Sequence, residues 1–127
     1  MNENLTIVNE SKSKPPRLPF LAMKEKVLGK KYELDLVFVS PKESKRLNKI
    51  YRKKNNPTDI LSFPLSKNEG EIIIDIKTSN TVASDFNRTP SNFIAFLFIH
   101  GLFHLKGMSH GSRMEAAERL VRTYFKV

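Results

Sequence analysis

The chain has 127 residues, 22 Lys and Arg against 13 Asp and Glu, and no cysteine. This length suits one domain with its own core, and the lack of cysteine excludes disulfides and thiolate ligands, leaving histidine and carboxylate to bind any transition metal. The net charge of +9 favours a polyanionic partner, RNA, DNA or an anionic membrane, although a solvated basic face without a partner has the same composition.

The N-terminal third predicts an edge strand, a helix and a buried strand. Residues 5–10 alternate weakly, as an edge strand does, and SKSKPPR follows as a loop. Residues 19–29 have an apolar helical face and end in a glycine stop. Residues 32–39 alternate at period two and become apolar on both faces. The first ten residues lack a basic region followed by an apolar run, so we expect a cytoplasmic chain.

The SPKE stretch predicts the next helix start. Ser40 can cap the helix, Pro41 suits its first position, and Glu43 can complete a capping box. The helix is predicted to run to about residue 54, with three side chains turned inward: Leu47, Ile50 and Tyr51. Its other faces carry seven basic side chains: Lys42, Lys45, Arg46, Lys49, Arg52, Lys53 and Lys54.

Residues 58–65 and 71–76 read as two strands joined by SKNEG, and Pro64 marks the first as an edge or bulged strand. Residues 78–88 are predicted to be helical. Thr89 and Pro90 begin a further helix whose residues 93–105 are apolar nearly all round. This run is shorter than the about 20 residues that cross a bilayer, so it indicates a buried central helix without a membrane partner.

A last amphipathic helix over residues 114–125 is predicted to turn four side chains inward: Ala117, Leu120, Val121 and Tyr124. The pattern as a whole predicts an α+β fold. We expect a single domain over residues 1–127, in which a small mixed sheet of about four strands packs with about five helices around a metal-binding central helix.

All three histidines fall within HGLFHLKGMSH, residues 100–110. His100 and His104 lie on one helical face, and Gly107 accepts a positive φ that lets the chain return with His110. Three neutral imidazoles with one open position are typical of a catalytic zinc site, where the pKa of bound water falls to about 7. Nickel or copper also suits a histidine-only site. The alternative interpretation is a chance cluster of core and surface histidines.

The histidine spacing matches the metzincin protease motif, H-E-x-x-H-x-x-G-x-x-H. Those proteases carry a glutamate general base where this chain has Gly101, which cannot accept a proton. The ligand pattern is retained, but peptide hydrolysis by that route is unsupported. No general base is evident in the sequence near the histidines.

HGLFHLKGMSH resembles the HGxLHLxGxDH signature of the YbeY family, bacterial rRNA maturation factors described as single-strand-specific metalloendoribonucleases. LNKIYRKKNNPTDILSFPL resembles the family stretch LNxxYRxKxxPTDVLSFP, and GEIIIDI resembles GDIxIS. The resemblance implies three zinc ligands, His100, His104 and His110, and a role in RNA cleavage for Arg52. It also implies processing of the 3′ end of 16S rRNA, ribosome quality control and association with the small ribosomal subunit.

The physical properties of Arg52 agree with that role, since a permanently charged planar guanidinium suits a phosphodiester. Four lysines of the same basic helix are candidates for binding the phosphates of single-stranded RNA: Lys45, Lys49, Lys53 and Lys54. Aromatic stacking partners for the bases are not evident, because Tyr51 is predicted to face inward. Two other interpretations stay open, a non-catalytic rRNA-binding factor with a structural metal and a metal hydrolase of a small phosphorylated substrate.

Three positions depart from the family pattern. Ser109 replaces an Asp that could orient a ligand imidazole, so metal affinity is expected to be weaker unless another group substitutes. Phe103 replaces a Leu in the core helix. Asp75 stands where a small polar residue is expected, which predicts an altered charge in the groove.

Overall fold

A four-stranded mixed sheet organises residues 4–127, the part of the chain that the computed structural model describes. The strands lie in the order β1-β2-β4-β3 and are β1 (Leu5–Asn9), β2 (Glu33–Phe38), β3 (Ile60–Ser66) and β4 (Glu69–Ile74). β1, β2 and β4 are parallel, whereas β3 runs antiparallel to β4 and forms an edge. Its register shifts between Pro64 and Ser66, which confirms the predicted edge or bulged strand.

The helices are α1 (Phe20–Leu28), α2 (Pro41–Arg52), α3 (Ile76–Val82), α4 (Pro90–Leu105) and α5 (Ser112–Tyr124). A short 3-10 helix, Ala83–Phe86, follows α3. The α+β class with four strands and five helices is therefore confirmed. Gly29 ends α1 at φ 90°, as its glycine predicted, and α2 ends two residues earlier than predicted.

The main core lies between the sheet and the helices α1, α4 and α5. Leu34, Leu36, Ile72 and Ile74 point from β2 and β4 into this core and are at most 1% exposed. α4 is buried nearly all round, which confirms its predicted central position. Within residues 4–127, no helix combines the length and apolar character needed to cross a bilayer.

α2 lies on the opposite face of the sheet in a different rotation from the one predicted. Leu47 packs against a small cluster on this face, but Ile50 is 55% exposed and Tyr51 is 62% exposed. The buried positions of α2 are polar, Ser44 and Asn48. The prediction that Ile50 and Tyr51 face inward is therefore wrong, and the ring of Tyr51 is open to solvent.

Asp75 explains this rotation of α2. Its carboxylate, 1% exposed, accepts hydrogen bonds from the hydroxyls of Ser44 and Thr78 at 2.6 Å and from the backbone N–H of Thr78 at 2.9 Å. Asp75 thus caps α3 and holds the first turn of α2 at the same time. Because its carboxylate is buried between α2 and α3, Asp75 adds no exposed charge, and its predicted effect on the charge of the groove stays a prediction.

Candidate metal centre

α4 and the loop after it bring three imidazoles together. One nitrogen from each of His100, His104 and His110 lies within 4.8 Å of the other two. The helical spacing places Nε2 of His104 3.0 Å from Nε2 of His100. Gly107, at φ 95°, reverses the chain as predicted and lets His110 approach the same point. This convergence of donor atoms supports a metal site over a chance cluster.

The donor set fits a transition metal ion. Two nitrogens bound at 2.0–2.1 Å to a tetrahedral ion are about 3.3 Å apart, close to the separation of the His100 and His104 nitrogens. Burial, followed by the nearby charges of His100, His110 and Arg52, lowers the pKa of His104. This favours the neutral imidazole, which is the form that binds metal. The three residues could therefore hold zinc, nickel or copper.

Glu118 orients the first imidazole. His100 Nδ1–H donates to Oε1 of Glu118 at 2.9 Å, and the Glu118 side chain is only 5% exposed. This bond leaves Nε2 of His100 as the free donor atom and aims it at the other two rings. Sequence analysis missed Glu118 and named no group to substitute for the family's Asp at position 109. Ser109 itself is exposed, and the weaker metal binding expected from its replacement of Asp stays a prediction.

The burial of Glu118 corrects the predicted inner face of α5. The helix buries Met114, Glu118, Val121 and Arg122, whereas Leu120 is 75% exposed and Tyr124 is 64% exposed. The inward assignment was correct for Val121 but wrong for Leu120 and Tyr124. The signal that could have revealed this face is the i,i+4 pair of opposite charges, Glu118 and Arg122, on the same helical face as Met114 and Val121.

Arg122 holds α5 in this rotation through its charge. Its Nη1 lies 3.6 Å from Oε1 of Glu118, its Nη2 donates to Oε1 of Glu115 at 3.0 Å, and its guanidinium lies 5.2 Å from the ring centre of Phe96. A buried carboxylate without a cation nearby is costly, so the pair selects this face over the more apolar one.

Gly101 packs against the sheet more closely than most side chains would allow. A Cβ added there would lie 3.0 Å from Oγ of Ser62 and 3.1 Å from Cδ1 of both Ile60 and Ile72. The position that carries a glutamate in metzincins therefore faces the core here. The structure agrees with the sequence argument that position 101 supplies no general base for peptide hydrolysis by the metzincin route.

Arg52 and the histidines line one cavity of about 420 Å³. Ile60, Ser62 and Pro64 of the edge strand β3 complete its lining. Arg52 comes from the last turn of α2 and points its Nη1 towards Oγ1 of Thr58, 3.5 Å away. The four candidate lysines are exposed around the C-terminal half of α2 and do not line this cavity: Lys45, Lys49, Lys53 and Lys54. Their role in binding RNA stays a prediction.

Asp59 is a second acidic group that sequence analysis did not single out. Burial raises the pKa of its carboxyl, while backbone N–H groups of Ile60 and Asp59 itself, and the charges of Arg52 and His100, act in the opposite direction. Asp59 lines a neighbouring cavity of about 480 Å³ together with His100 and His110. The matched PTD of the family stretch contains Asp59 and was the signal that could have singled it out, although the helix and strand patterns do not place it beside the histidines.

The family model described as Endoribonuclease YbeY matches residues 8–123. The chain is 37% identical over 98 residues to Endoribonuclease YbeY of Alkaliphilus metalliredigens, an alignment that covers 68% of this chain and 63% of that protein. It is 35% identical over 114 residues to the protein of the same name from Halalkalibacterium halodurans, covering 77% and 72%. The matches to Alkaliphilus metalliredigens and Finegoldia magna span 63% and 61% of those relatives' lengths.

A solved structure has a similar fold. The solution structure of TM1509 from Thermotoga maritima superposes with a TM-score of 0.66 at 26% identity, covering 92% of this chain and 85% of that one. The family match covers most of the chain and includes β2, α2, β3, β4 and the whole of α4 with its histidines. From this match and these relatives, the chain belongs to the YbeY endoribonuclease family.

Proposed function

We propose that this chain is a metal-dependent endoribonuclease that cuts single-stranded RNA. The observation that carries the proposal is the shared cavity, in which Arg52 faces the cluster of His100, His104 and His110. A guanidinium beside a set of metal-binding imidazoles is suited to a phosphodiester, because the guanidinium and a metal ion held by the imidazoles would both neutralise charge on phosphate oxygens. The names of the relatives, Endoribonuclease YbeY, support RNA as the substrate.

In this mechanism Arg52 binds the scissile phosphate and stabilises the charge that develops on it during cleavage. Its planar fork of N–H donors matches two phosphate oxygens and stays charged at any physiological pH. Glu118 holds His100 in the tautomer whose Nε2 faces the cluster. A zinc ion bound by the three histidines would supply Lewis-acid chemistry and lower the pKa of the attacking water.

α2 supports the approach of the RNA. Its exposed surface carries a high density of cations, and Arg52, at the C-terminal end of the helix, reaches the cavity. Lys45, Lys49, Lys53 and Lys54 then bind neighbouring phosphates of the strand. Tyr51 adds an exposed aromatic ring, which packs on Phe63 with centroids 4.9 Å apart and offers its other face to a base.

The family membership supports a more specific role. We infer that the protein works as one metalloendoribonuclease domain over residues 1–127, with zinc as its ion, in the cytoplasm. Its substrate in this proposal is the 3′ end of 16S rRNA, reached on the small ribosomal subunit, and its activity serves rRNA maturation and ribosome quality control. The net charge of +9 agrees with a partner made of RNA.

Cleavage of a defined single-stranded RNA tests the proposal. Four preparations are compared: zinc-loaded protein, chelator-treated protein, His104→Ala and Arg52→Ala. We expect cutting by the zinc-loaded chain alone, with elemental analysis identifying the ion in the same samples. Equal trace activity in all four would indicate a contaminant and would favour a non-catalytic RNA-binding protein.

A further inference from the structure

The cavity beside Asp59 adjoins the proposed cleavage site. It has a volume of about 480 Å³ and shares Ile60, His100 and His110 with the cavity that contains Arg52. Arg52 does not line it. A strand whose phosphate is held at Arg52 therefore has a second space available immediately across the histidines.

Three phenylalanines form one wall of this second cavity. Phe86, Phe93 and Phe96 line it, with the centroid of Phe86 5.0 Å from that of Phe93 and 5.9 Å from that of Phe96. Phe93 is buried, but Phe86 is 51% exposed and comes from the 3-10 helix at the rim. An aromatic ring left half open beside a cleft can stack on a planar ligand, as rings do on the bases of single strands.

The charge of the cavity selects against phosphate. Three carboxylates line it, from Asp59, Glu115 and Glu118, and they would repel a phosphodiester. Glu115 and Glu118 are both paired with Arg122. Asp59 also lines the cavity, and a carboxylate can accept hydrogen bonds from several donors. The cavity thus suits an uncharged planar group that carries hydrogen-bond donors.

We propose that this cavity binds the nucleobase next to the scissile phosphate, with the base stacked on Phe86 and hydrogen-bonded to Asp59. The proposal rests on the proposed nuclease function and adds a base preference to it. The amino group of cytosine donates well to a carboxylate. Uracil has a carbonyl oxygen at the same position, which a carboxylate repels, so the cavity favours cytosine over uracil.

Binding of two matched oligonucleotides tests this preference without relying on cleavage. Fluorescence anisotropy measures the binding of oligocytidine and of oligouridine to the chelator-treated full chain. Each oligonucleotide has about 9 nucleotides, a length that spans one binding groove. A gel confirms that the RNA stays intact. We expect the wild-type chain to bind oligocytidine about fivefold more tightly, which corresponds to one good base contact. Asp59→Asn, which can both donate and accept, should bring the ratio close to one.

Phe86 is tested in the same assay. Phe86→Ala should weaken binding of both oligonucleotides by about fivefold, because stacking does not depend on the base edge, and Phe86→Tyr should retain binding. Tyr124→Ala is the matched control, since Tyr124 is an aromatic residue with 64% exposure that does not line the cavity. Thermal unfolding of each variant shows whether it is folded. If Phe86→Ala does not fold, Phe86→Leu, which also removes the aromatic ring, is used in its place.

The outcomes separate this proposal from the proposed function. A wild-type ratio near one, or a ratio that Asp59→Asn leaves unchanged, overturns the base cavity even if the zinc-loaded chain cuts RNA. A cytosine preference that Asp59→Asn abolishes supports the cavity, whether or not cleavage is observed. Absence of cleavage by zinc-loaded protein overturns only the nuclease function.

Discussion

The carboxylate of Glu118 lies 2.9 Å from Nδ1 of His100 and joins α5 to the candidate metal centre on α4. This contact fixes the ring orientation of the first ligand from a residue that lies eighteen positions further along the chain. Such partners of ligating histidines commonly change metal affinity by about 10- to 100-fold when they are replaced. Glu118 is therefore placed to orient His100, the kind of task that was expected of the Asp that Ser109 replaces.

Glu118→Gln should weaken zinc binding by about tenfold, because the neutral amide no longer raises the basicity of the His100 ring. Competition with a chromophoric zinc chelator measures the affinity. Glu115→Gln is the control, since Glu115 is exposed and contacts Arg119 and Arg122 but no histidine. Equal zinc affinity in wild type and Glu118→Gln would show that the contact does not tune the site.

Gly101→Glu should destabilise the protein and should not create protease activity. The side chain would enter a space in which even a Cβ lies within 3.0–3.1 Å of Ser62, Ile60 and Ile72. Overpacking costs about 1–3 kcal/mol, and burial of the carboxylate adds to this. Urea unfolding measures the loss, and a casein digest tests for proteolysis. Gly107→Ala serves as a comparison that introduces backbone strain without a clash.

Binding of single-stranded RNA should weaken steeply with salt. Each phosphate neutralised on a single strand contributes about −0.7 to the slope of log K against log salt, so about five contacts predict a slope of roughly −3.5. The five cations are Arg52 and the four candidate lysines, Lys45 and Lys49 on α2 and Lys53 and Lys54 just after it. Anisotropy titrations of chelator-treated protein at several salt concentrations give the slope, and a value near zero contradicts an RNA-binding groove.

The double variant Lys45→Gln with Lys49→Gln should reduce the magnitude of that slope by about 1.4 if both lysines contact phosphate. Lys77→Gln with Lys126→Gln removes the same charge from exposed positions outside α2 and should change the slope much less. Similar slopes for the two double variants would indicate attraction by net charge alone.

Asp75→Ala should lower the free energy of unfolding by about 2–4 kcal/mol, since it removes the cap of α3 and the buried acceptor that Ser44 and Thr78 share. Asp75→Ser, the kind of residue that the family pattern has there, retains a capping hydroxyl and should cost less. Urea unfolding ranks the variants, with exposed Asp85→Ala as the control. If both Asp75 variants match wild type, the carboxylate does not hold α2 and α3 together.

Glu71→Gln should stabilise the protein near pH 7 more than near pH 5. Burial, followed by the charges of Asp35 and Glu10, raises the pKa of Glu71 in the folded state. The contribution of the Glu71 carboxyl to the free energy of unfolding is therefore complete below its pKa in the unfolded chain. It is lost as the pH rises through its raised pKa in the folded chain. Unfolding in urea at both pH values measures the difference, and exposed Glu69→Gln is the neighbouring control. A gain that is the same at both pH values would contradict the raised pKa.

Local sequence determined the features that depend on near neighbours along the chain. The spacing of His100 and His104 and the glycine at position 107 predicted a converging imidazole cluster, because helix periodicity and a positive φ are local properties. The apolar run of α4 predicted a central helix, and Pro64 predicted an irregular edge strand. The fold class followed from these elements in order.

Tertiary structure alone decided which side chains join the histidines. Arg52 reaches them from the end of α2, Asp59 from the start of β3 and Glu118 from α5, and no periodicity within one element shows such contacts. The same contacts overrode apolar patterns, since α5 buries Glu118 with Arg122 and leaves Leu120 exposed. A buried ion pair requires its two partners within a few ångströms of each other, whereas an apolar side chain is stabilised by burial against any apolar surface. The polar contacts therefore set the helix rotations.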